Sequence, residues 1–414
     1  MIRRRDLLAT VPAALSASSS GLAAASTGPE LSAKLAAAMA APVLNRALFH
    51  APVPIESVQL LKSGPHYFVR ARSRDGVCGY ADAHSSVMSA AYPIVVRKIA
   101  PFFNAKDALD LDSLLHGVYV ANSNYKWQGL PFWVSVAVVE IAILDMLGKV
   151  AGKPLGELIG KVQRRQIAVY RASGNRGNSP EAEIEYLQQI VAETGASAIK
   201  FRLGARMSYD DASTRRDLAL IPLTRKVFGG KMAIYADGNG SYDVPLAIRI
   251  GRIMEQHKFE FFEEPAPFDY YEETKAIADK LDIRIALGEE EASLRGFRSI
   301  IEHGVAQVIQ PDILYSGGLI RTVKVARMAA IAGLECTVHM SGGGLGFLYV
   351  AHFASCIANP GPHQEYKGAD DTLPVSSDTS SLKCEKGILQ VPTGPGLGVT
   401  LEPQFLAKAA PVSA

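Results

Sequence analysis

Cysteine and tryptophan are scarce in this chain, with four and two copies among 414 residues. Cys78, Cys336, Cys356 and Cys384 are spaced widely and irregularly, which signals neither a disulfide framework nor a zinc knuckle. Buried, inert thiols are the expectation. An excess of charge is also missing: 43 Lys and Arg face 41 Asp and Glu, for a net charge of +2. Such a balance gives no bulk attraction to nucleic acid or to an acidic surface. The first strand-to-helix turn carries no dinucleotide-type glycine fingerprint. The glycine-rich "MSGGGLG" at 340–346 lacks the lysine and spacing of a P-loop.

What remains is an ordinary globular composition, 48% hydrophobic and 20% charged, on a chain long enough for a large core and two domains. Residues 1–26, "MIRRRDLLATVPAALSASSSGLAAAS", are of another kind. Arginines precede Asp6-Leu7-Leu8, a modestly apolar stretch follows, and Ala23–Ala25 close it with small side chains. This is the pattern of an export signal of the twin-arginine type, so a periplasmic protein is expected, or a cytoplasmic one if the leader is not functional. Serines break the segment too often for a membrane span. No other stretch reads as transmembrane, so no membrane contact is expected after signal removal. The Ala-rich residues 27–42 are expected to form a mobile leader.

From about residue 43 to 165 an α+β domain is expected. "SVQLLKSGPHYFVRARSRDGVCGYADAH" alternates around Gly64-Pro65 and Asp75-Gly76 as a three-stranded meander would. "FWVSVAVVEIAILDMLGKVAGKPLGELIG" is apolar around most of a helix, which places that helix between two layers. Asp145 within it reads as a buried structural hydrogen-bonding group. No catalytic constellation occurs here, so this is a covering or recognition domain.

From residue 166 short apolar runs alternate with helical stretches: "IAVYRASG", "AIKFRLG", "MAIYADGNG", "FEFFEEPAP", "IRIALGEEE", "VAQVIQPDI", "LECTVHM" and "PHQEYKG". Eight such units in about 200 residues favour a closed parallel barrel, with an open doubly wound sheet as the alternative. The runs end in Lys200 and Arg202, then Asp237, Glu263, Glu289, Asp312, His339 and Glu365. From Asp237 onward the intervals are 26, 26, 23, 27 and 26 residues. One functional group per unit, at the C-terminal end of each strand, is where a barrel assembles an active site.

Asp237, Glu263 and Glu289 come from three consecutive units and can converge. Uncompensated, they would repel one another and take up protons. A divalent cation resolves this, and an all-oxygen set without Cys or His favours Mg²⁺ over zinc. The alternative is three rim carboxylates paired with Lys or Arg. Lys200 and Arg202 alternate onto one strand face and call for anions such as a substrate carboxylate. A guanidinium beside Lys200 predicts a lowered pKa suited to a base, whereas Arg202 stays charged. Asp312 and His339 end neighbouring strands, so the carboxylate can orient the imidazole. Glu365 is placed to act across the site. In "KFEFFEEPAP", Glu260 reads as a solvated or salt-bridged residue at the far end of the fourth barrel strand.

These residues together resemble the enolase superfamily, in its mandelate racemase subgroup, over about residues 43–405. The carriers are "KFR", "DGN", "EEP", "GE", "QPDILYSGG" with "TVHMSGG", Glu365, and "GKVAGKPLGELIG" at the junction between domains. The resemblance implies an N-terminal α+β capping domain (43–165), a modified (β/α)7β TIM barrel (166–375) and a C-terminal segment (376–414) returning to the cap. It implies Mg²⁺ on Asp237, Glu263 and Glu289, with Glu264 supporting Glu263. It also implies His339 as base oriented by Asp312, and Lys200, Arg202 and Glu365 around the enediolate. Asn239, His50 and His84 are the candidate substrate contacts.

Racemases of this subgroup carry Lys-x-Lys; Arg202 replaces the second lysine, which counts against a two-base reaction. The expected activity is therefore dehydration of a sugar acid, a small carboxylate substrate, to a 2-keto-3-deoxy acid by a homo-oligomeric enzyme. A racemase or epimerase on the same site, or an exported carboxylate-binding protein without turnover, are the alternatives.

Overall fold

A computed structural model describes residues 28–341, 343–368 and 372–413; the export-signal reading falls outside them. Helix α1 (Pro29–Ala40) precedes three antiparallel strands, β1 (Ile55–Ser63), β2 (His66–Ser73) and β3 (Cys78–Asp82). The Gly64-Pro65 turn between β1 and β2 has Gly64 at φ 58°, a backbone region that glycine enters without steric cost. Helices α2 (Ser85–Ile94), α3 (Ala100–Phe103), α4 (Leu111–Val120), α5 (Leu130–Ala151) and α6 (Leu155–Ile159) complete the cap.

α5 is apolar all round because protein covers it all round. It has the length and hydropathy of a membrane span, yet 89% of its most apolar window is buried inside the molecule. It packs on β2 and β3 on one side and meets the barrel on the other. At Gly79 the strand and helix backbones touch, for a Cβ there would overlap the Ala142 carbonyl and the Met146 amide. Two buried acids on α5 satisfy backbone donors from elsewhere in the chain. Asp145 accepts from Tyr80 N (2.8 Å), Leu397 N (2.8 Å) and Lys149 Nζ (2.6 Å), a structural role. Glu140 reaches into the barrel domain.

The barrel has eight parallel strands: β4 (Gln166–Ala172), β5 (Ala198–Arg202), β6 (Ala233–Asp237), β7 (Phe261–Glu263), β8 (Arg284–Leu287), β9 (Val308–Ile309), β10 (Glu335–Cys336) and β11 (Gln364–Tyr366). Between them lie seven helices: α7 (Pro180–Thr194), α8 (Asp211–Phe228), α9 (Val244–Gln256), α10 (Tyr271–Ala278), α11 (Leu294–Glu302), α12 (Leu319–Ile331) and α13 (Gly346–Cys356). Ring closure comes from β11 pairing with β4, Glu365 opposite Tyr170, and from a bridge between Cys336 and Pro360. This is the (β/α)7β barrel, and the open doubly wound sheet is excluded. Its lower interior is filled by Tyr170, Tyr235, Phe261 and Val308, so it is a packed core with the site above it.

Glu140 accepts from the amides of Leu319 (3.1 Å) and Ile320 (2.7 Å), the unpaired donors at the start of α12. Beyond the barrel, β12 (Val375–Ser376) pairs with β15 (Thr400–Leu401), and β13 (Cys384–Glu385) forms a hairpin with β14 (Ile388–Gln390) on β4. Helix α14 (Pro403–Ala407) leads to β16 (Ala410–Pro411), which joins β1 as the fourth strand of the cap sheet.

The expectation of a mobile leader at 27–42 is corrected. Residues 29–40 form α1, which lies on α11 and α12 with Leu35 fully buried. Leu35, with Leu31, Ala38 and Met39 partly buried beside it, packs in one cluster with Phe297, Ile301 and Val325 and holds the helix there. All four cysteines are free; Cys336 and Cys356 are buried, and Cys78 and Cys384 are partly so.

Candidate active site

The residues singled out by strand phase meet at the C-terminal mouth of the barrel. Parallel pairing puts Arg202 opposite Asp237 and Asp237 opposite Glu263. Glu289 follows β8 by two residues, and a bridge pairs Asp312 with His339. The register that closes the barrel therefore levels these side chains at one height. Carboxylate oxygens of Asp237, Glu263 and Glu289, all buried, lie within 4.8 Å of one another. Glu289 Oε2 is buried without a hydrogen bond. An all-oxygen cluster with an orphaned oxygen fits Mg²⁺, whose ligand oxygens lie at most about 4.2 Å apart. Small side-chain shifts would bring these three to that spacing.

The carboxylates are also paired with cations, which is the alternative weighed from sequence. Lys200 Nζ stands 2.8 and 2.7 Å from the two oxygens of Glu263 and 2.9 Å from Glu365 Oε1. The Arg202 guanidinium abuts Asp237 and donates to Asn239 Oδ1 at 3.2 Å. The lowered pKa predicted for Lys200 is corrected. Burial and the Arg202 charge do act downward, but Glu263 and Glu365 outweigh them and the net shift is upward. For Glu365 and Glu263, burial acts upward most strongly, but Lys200 and Arg202 together, joined at Glu365 by Lys367 and His339, outweigh it and hold both carboxyls below the usual range. Glu289 is pushed up to about 7 by burial and by Glu263.

The Asp312–His339 pair is fully built. His339 Nδ1 lies 2.8 Å from Asp312 Oδ2. The same carboxylate accepts from the amides of Leu314 (2.8 Å), Tyr315 (2.9 Å) and Ser341 (2.7 Å) and from Ser341 Oγ (3.1 Å). A carboxylate surrounded by donors is an acceptor, so Nδ1 carries the proton and Nε2 of the neutral ring presents a lone pair. Nε2 looks toward Glu289 Oε2 (3.5 Å) and Glu365 Oε2 (3.8 Å). It borders a cavity of about 320 Å³ lined by Arg202, Asn239, Glu289, Tyr315 and Lys367.

Asn239, at φ 42°, donates its amide to Asp237 Oδ1 and points its side chain between Arg202, Glu264 and Glu289. His84 adjoins a neighbouring cleft of about 380 Å³ with His66, Asp82 and Gly344, where cap meets barrel. Burial shifts its pKa downward, and Asp312, Lys367 and His339 lie close enough to act on it electrostatically. His50 is exposed in the segment before β1 and lines neither cleft. Glu260 pairs loosely with Arg284 at 3.8 Å, as a residue at the far end of its strand should.

Three participants, Gln310, Glu290 and Lys367, were missed by sequence reasoning. Gln310 Nε2 donates to Glu263 Oε2 at 3.0 Å. Glu264 and Glu290 form a second acidic group with Glu289; burial and those neighbours push Glu264 well above the usual range. Lys367 reaches within 3.0 Å of His339 Nε2. Its signal was present: Lys367 stands two residues beyond Glu365, the spacing that puts Lys200 and Arg202 on one face.

Comparison with known proteins agrees with this geometry. Residues 182–405 match a family sequence pattern described as Enolase C-terminal domain-like. The arabinonate dehydratase of Saccharolobus solfataricus is 27% identical over 79% of this chain and 86% of its own. The D-galactonate dehydratase of Xanthomonas euvesicatoria is 24% identical over 82% and 90%. A crystal structure of a mandelate racemase/muconate lactonizing protein from Paracoccus denitrificans complexed with magnesium superimposes with a TM-score of 0.79. It is 27% identical and covers 87% of this chain and 99% of that one.

Proposed function

Because the chain belongs to the enolase superfamily, among its mandelate racemase/muconate lactonizing members, we propose that it removes the proton α to the carboxylate of a sugar acid and eliminates water to give a 2-keto-3-deoxy acid. The observation that carries this is one competent base on one side of the cavity. His339 has Nδ1 committed to Asp312 and Nε2 directed at the cavity. The side chain at the second-base position is Arg202, whose guanidinium is held by Asp237 and Asn239 and surrenders a proton reluctantly. Bound by Asp237, Glu263 and Glu289, Mg²⁺ would supply the positive charge that makes the α-proton acidic.

The chain's own residues divide the remaining work. His339 Nε2 takes the α-proton. Lys200, raised in pKa and buried beneath the site, remains a cation and offsets negative charge growing on the substrate carboxylate. Glu365 fixes Lys200 from the other side (2.9 Å) and accepts from Met340 N at 2.8 Å, which sets the height of the strand end carrying His339. Asn239 and, from the cap, His84 stand where substrate hydroxyls would be read. The dehydratase names of two relatives support the reaction class. Export by the leader at residues 1–26 belongs to the same proposal; cell fractionation with mass analysis of the mature N-terminus tests it.

The test is a panel of five- and six-carbon aldonic and aldaric acids with Mg²⁺, assayed for 2-keto-3-deoxy product and for α-deuterium uptake from D2O. His339→Asn should abolish both; dehydration that survives the substitution sinks the assignment of the base. The racemase reading is favoured by the name of the Paracoccus structure. It would be preferred if both C2 epimers exchanged their α-proton and no water were lost.

A further inference from the structure

We propose that Lys367 is the acid that protonates the departing β-hydroxyl, and that it draws its replacement proton from His339. The inference rests on the α-proton abstraction proposed above and adds a second proton carrier to it. Lys367 Nζ stands 3.0 Å from His339 Nε2 and 3.6 Å from Glu365 Oε2. Its side chain keeps 25% of its exposure and lines the cavity. The other cations near the cavity are unsuited to this role. Lys200 is fully buried and spends its donors on Glu263 and Glu365. Arg202 is paired with Asp237, and both it and the exposed Arg206 carry guanidinium groups that do not give up protons.

Geometry makes the assignment specific. An α-proton must face Nε2 to be taken, and a hydroxyl on the adjacent carbon, on the same face, then lies one bond further along. A group 3.0 Å from Nε2 on the cavity wall is within hydrogen-bond reach of that oxygen. The step balances within the chain's own groups. His339 Nε2 accepts the α-proton, leaving the electron pair in the enediolate. That pair forms the Cα=Cβ bond as the Cβ–O bond breaks, and a proton from Lys367 Nζ joins the leaving oxygen to make water. The imidazolium then returns its proton across 3.0 Å to the neutral amine. The released enol becomes the keto acid by moving its own hydroxyl proton to Cβ in solution.

The experiment compares the hydroxy acid that the wild-type enzyme dehydrates with its 3-deoxy-3-fluoro analogue, since fluoride departs without protonation. Wild type, Lys367→Met and Lys367→Arg are assayed for keto acid, fluoride release and α-deuterium uptake. Both variants should lose dehydration by about 100-fold or more, while fluoride release stays within about threefold of wild type and deuterium uptake persists. Arginine keeps the charge but not the acidity, so loss in both variants separates proton donation from electrostatics or folding. If fluoride release falls as far as dehydration, or if dehydration is unchanged, Lys367 is not the acid. A wild-type enzyme that exchanges no α-proton from any acid of the panel overturns the parent reading and this one together.

Discussion

Lys200 grips Glu263 with its ammonium 2.8 and 2.7 Å from the two carboxylate oxygens, so a side chain suited to a divalent cation already holds a monovalent one. A metal entering beside Asp237 and Glu289 must share Glu263 with Lys200. Titrating Mg²⁺ should therefore raise the melting temperature, at about 100 times Kd by the equivalent of about 2.7 kcal/mol. In Glu289→Gln the rise should vanish, and calorimetry should find no binding. An equal rise in both proteins would remove the cation from these three residues.

Lys200→Met leaves Glu263 and Glu365 buried without their principal cation, the costly way to break such a pair, and should destabilise the protein by about 3–5 kcal/mol in urea titrations. Adding Mg²⁺ should recover part of that loss, because it restores positive charge to Glu263. A loss indifferent to Mg²⁺ would mean the two cations do not share the carboxylate.

Asp312→Asn should reduce α-proton exchange less than His339→Asn does. The histidine removes the base, worth about 10²–10⁴-fold, whereas the asparagine leaves the ring in place with its tautomer no longer enforced. Exchange rates in D2O by NMR give the comparison. Exchange that is untouched in Asp312→Asn would detach the dyad from the chemistry.

Glu140 supplies a pH prediction away from the site. Burial, only partly opposed by the Leu319 and Ile320 amides, raises its pKa to about 8. A carboxyl raised in the folded state stabilises fully below the ordinary carboxylate range, and that contribution is lost as pH rises toward about 8. The loss is on the order of 4 kcal/mol. Glu140→Gln should thus show a flatter decline of unfolding free energy between pH 5 and 8 than wild type. Parallel slopes would contradict the shift.

Gly79→Ala tests the contact between cap sheet and α5. The added methyl meets backbone on the helix side, which cannot turn aside as a side chain can. The cost should reach or exceed the upper end of the about 1–3 kcal/mol usual for overpacking, read as a lower melting temperature with the metal site intact.

The parts of the molecule legible in the sequence were those fixed by repetition. A strand end recurring at nearly constant intervals carries its side chain to the same height of a barrel, so Asp237, Glu263, Glu289, Asp312, His339 and Glu365 could be placed before any coordinates. The fourth strand, with Glu263 at its end and Glu260 at the outer one, followed from the same phase. What could not be read depends on partners far along the chain. The charge of Lys200 is decided by Glu263 and Glu365, and neither is its sequence neighbour. The docking of α1 depends on Leu35, with Leu31, Ala38 and Met39 beside it, meeting helices near residue 300, which an Ala-rich segment does not advertise. Between His50 and His84, only the path of the cap decides which one comes near His339.

The strand that completes the cap sheet has a consequence for how the protein is made. Leu61 pairs with Pro411, 350 positions later, and Ser63 hydrogen-bonds the carbonyl of Phe405. Domains commonly fold in the order in which synthesis delivers them. Here β1 leaves the ribosome early with an open edge, of the kind that invites wrong partners. It must wait, unclosed, while the whole barrel is translated. The cap sheet is begun before the barrel is synthesised and finished only after it.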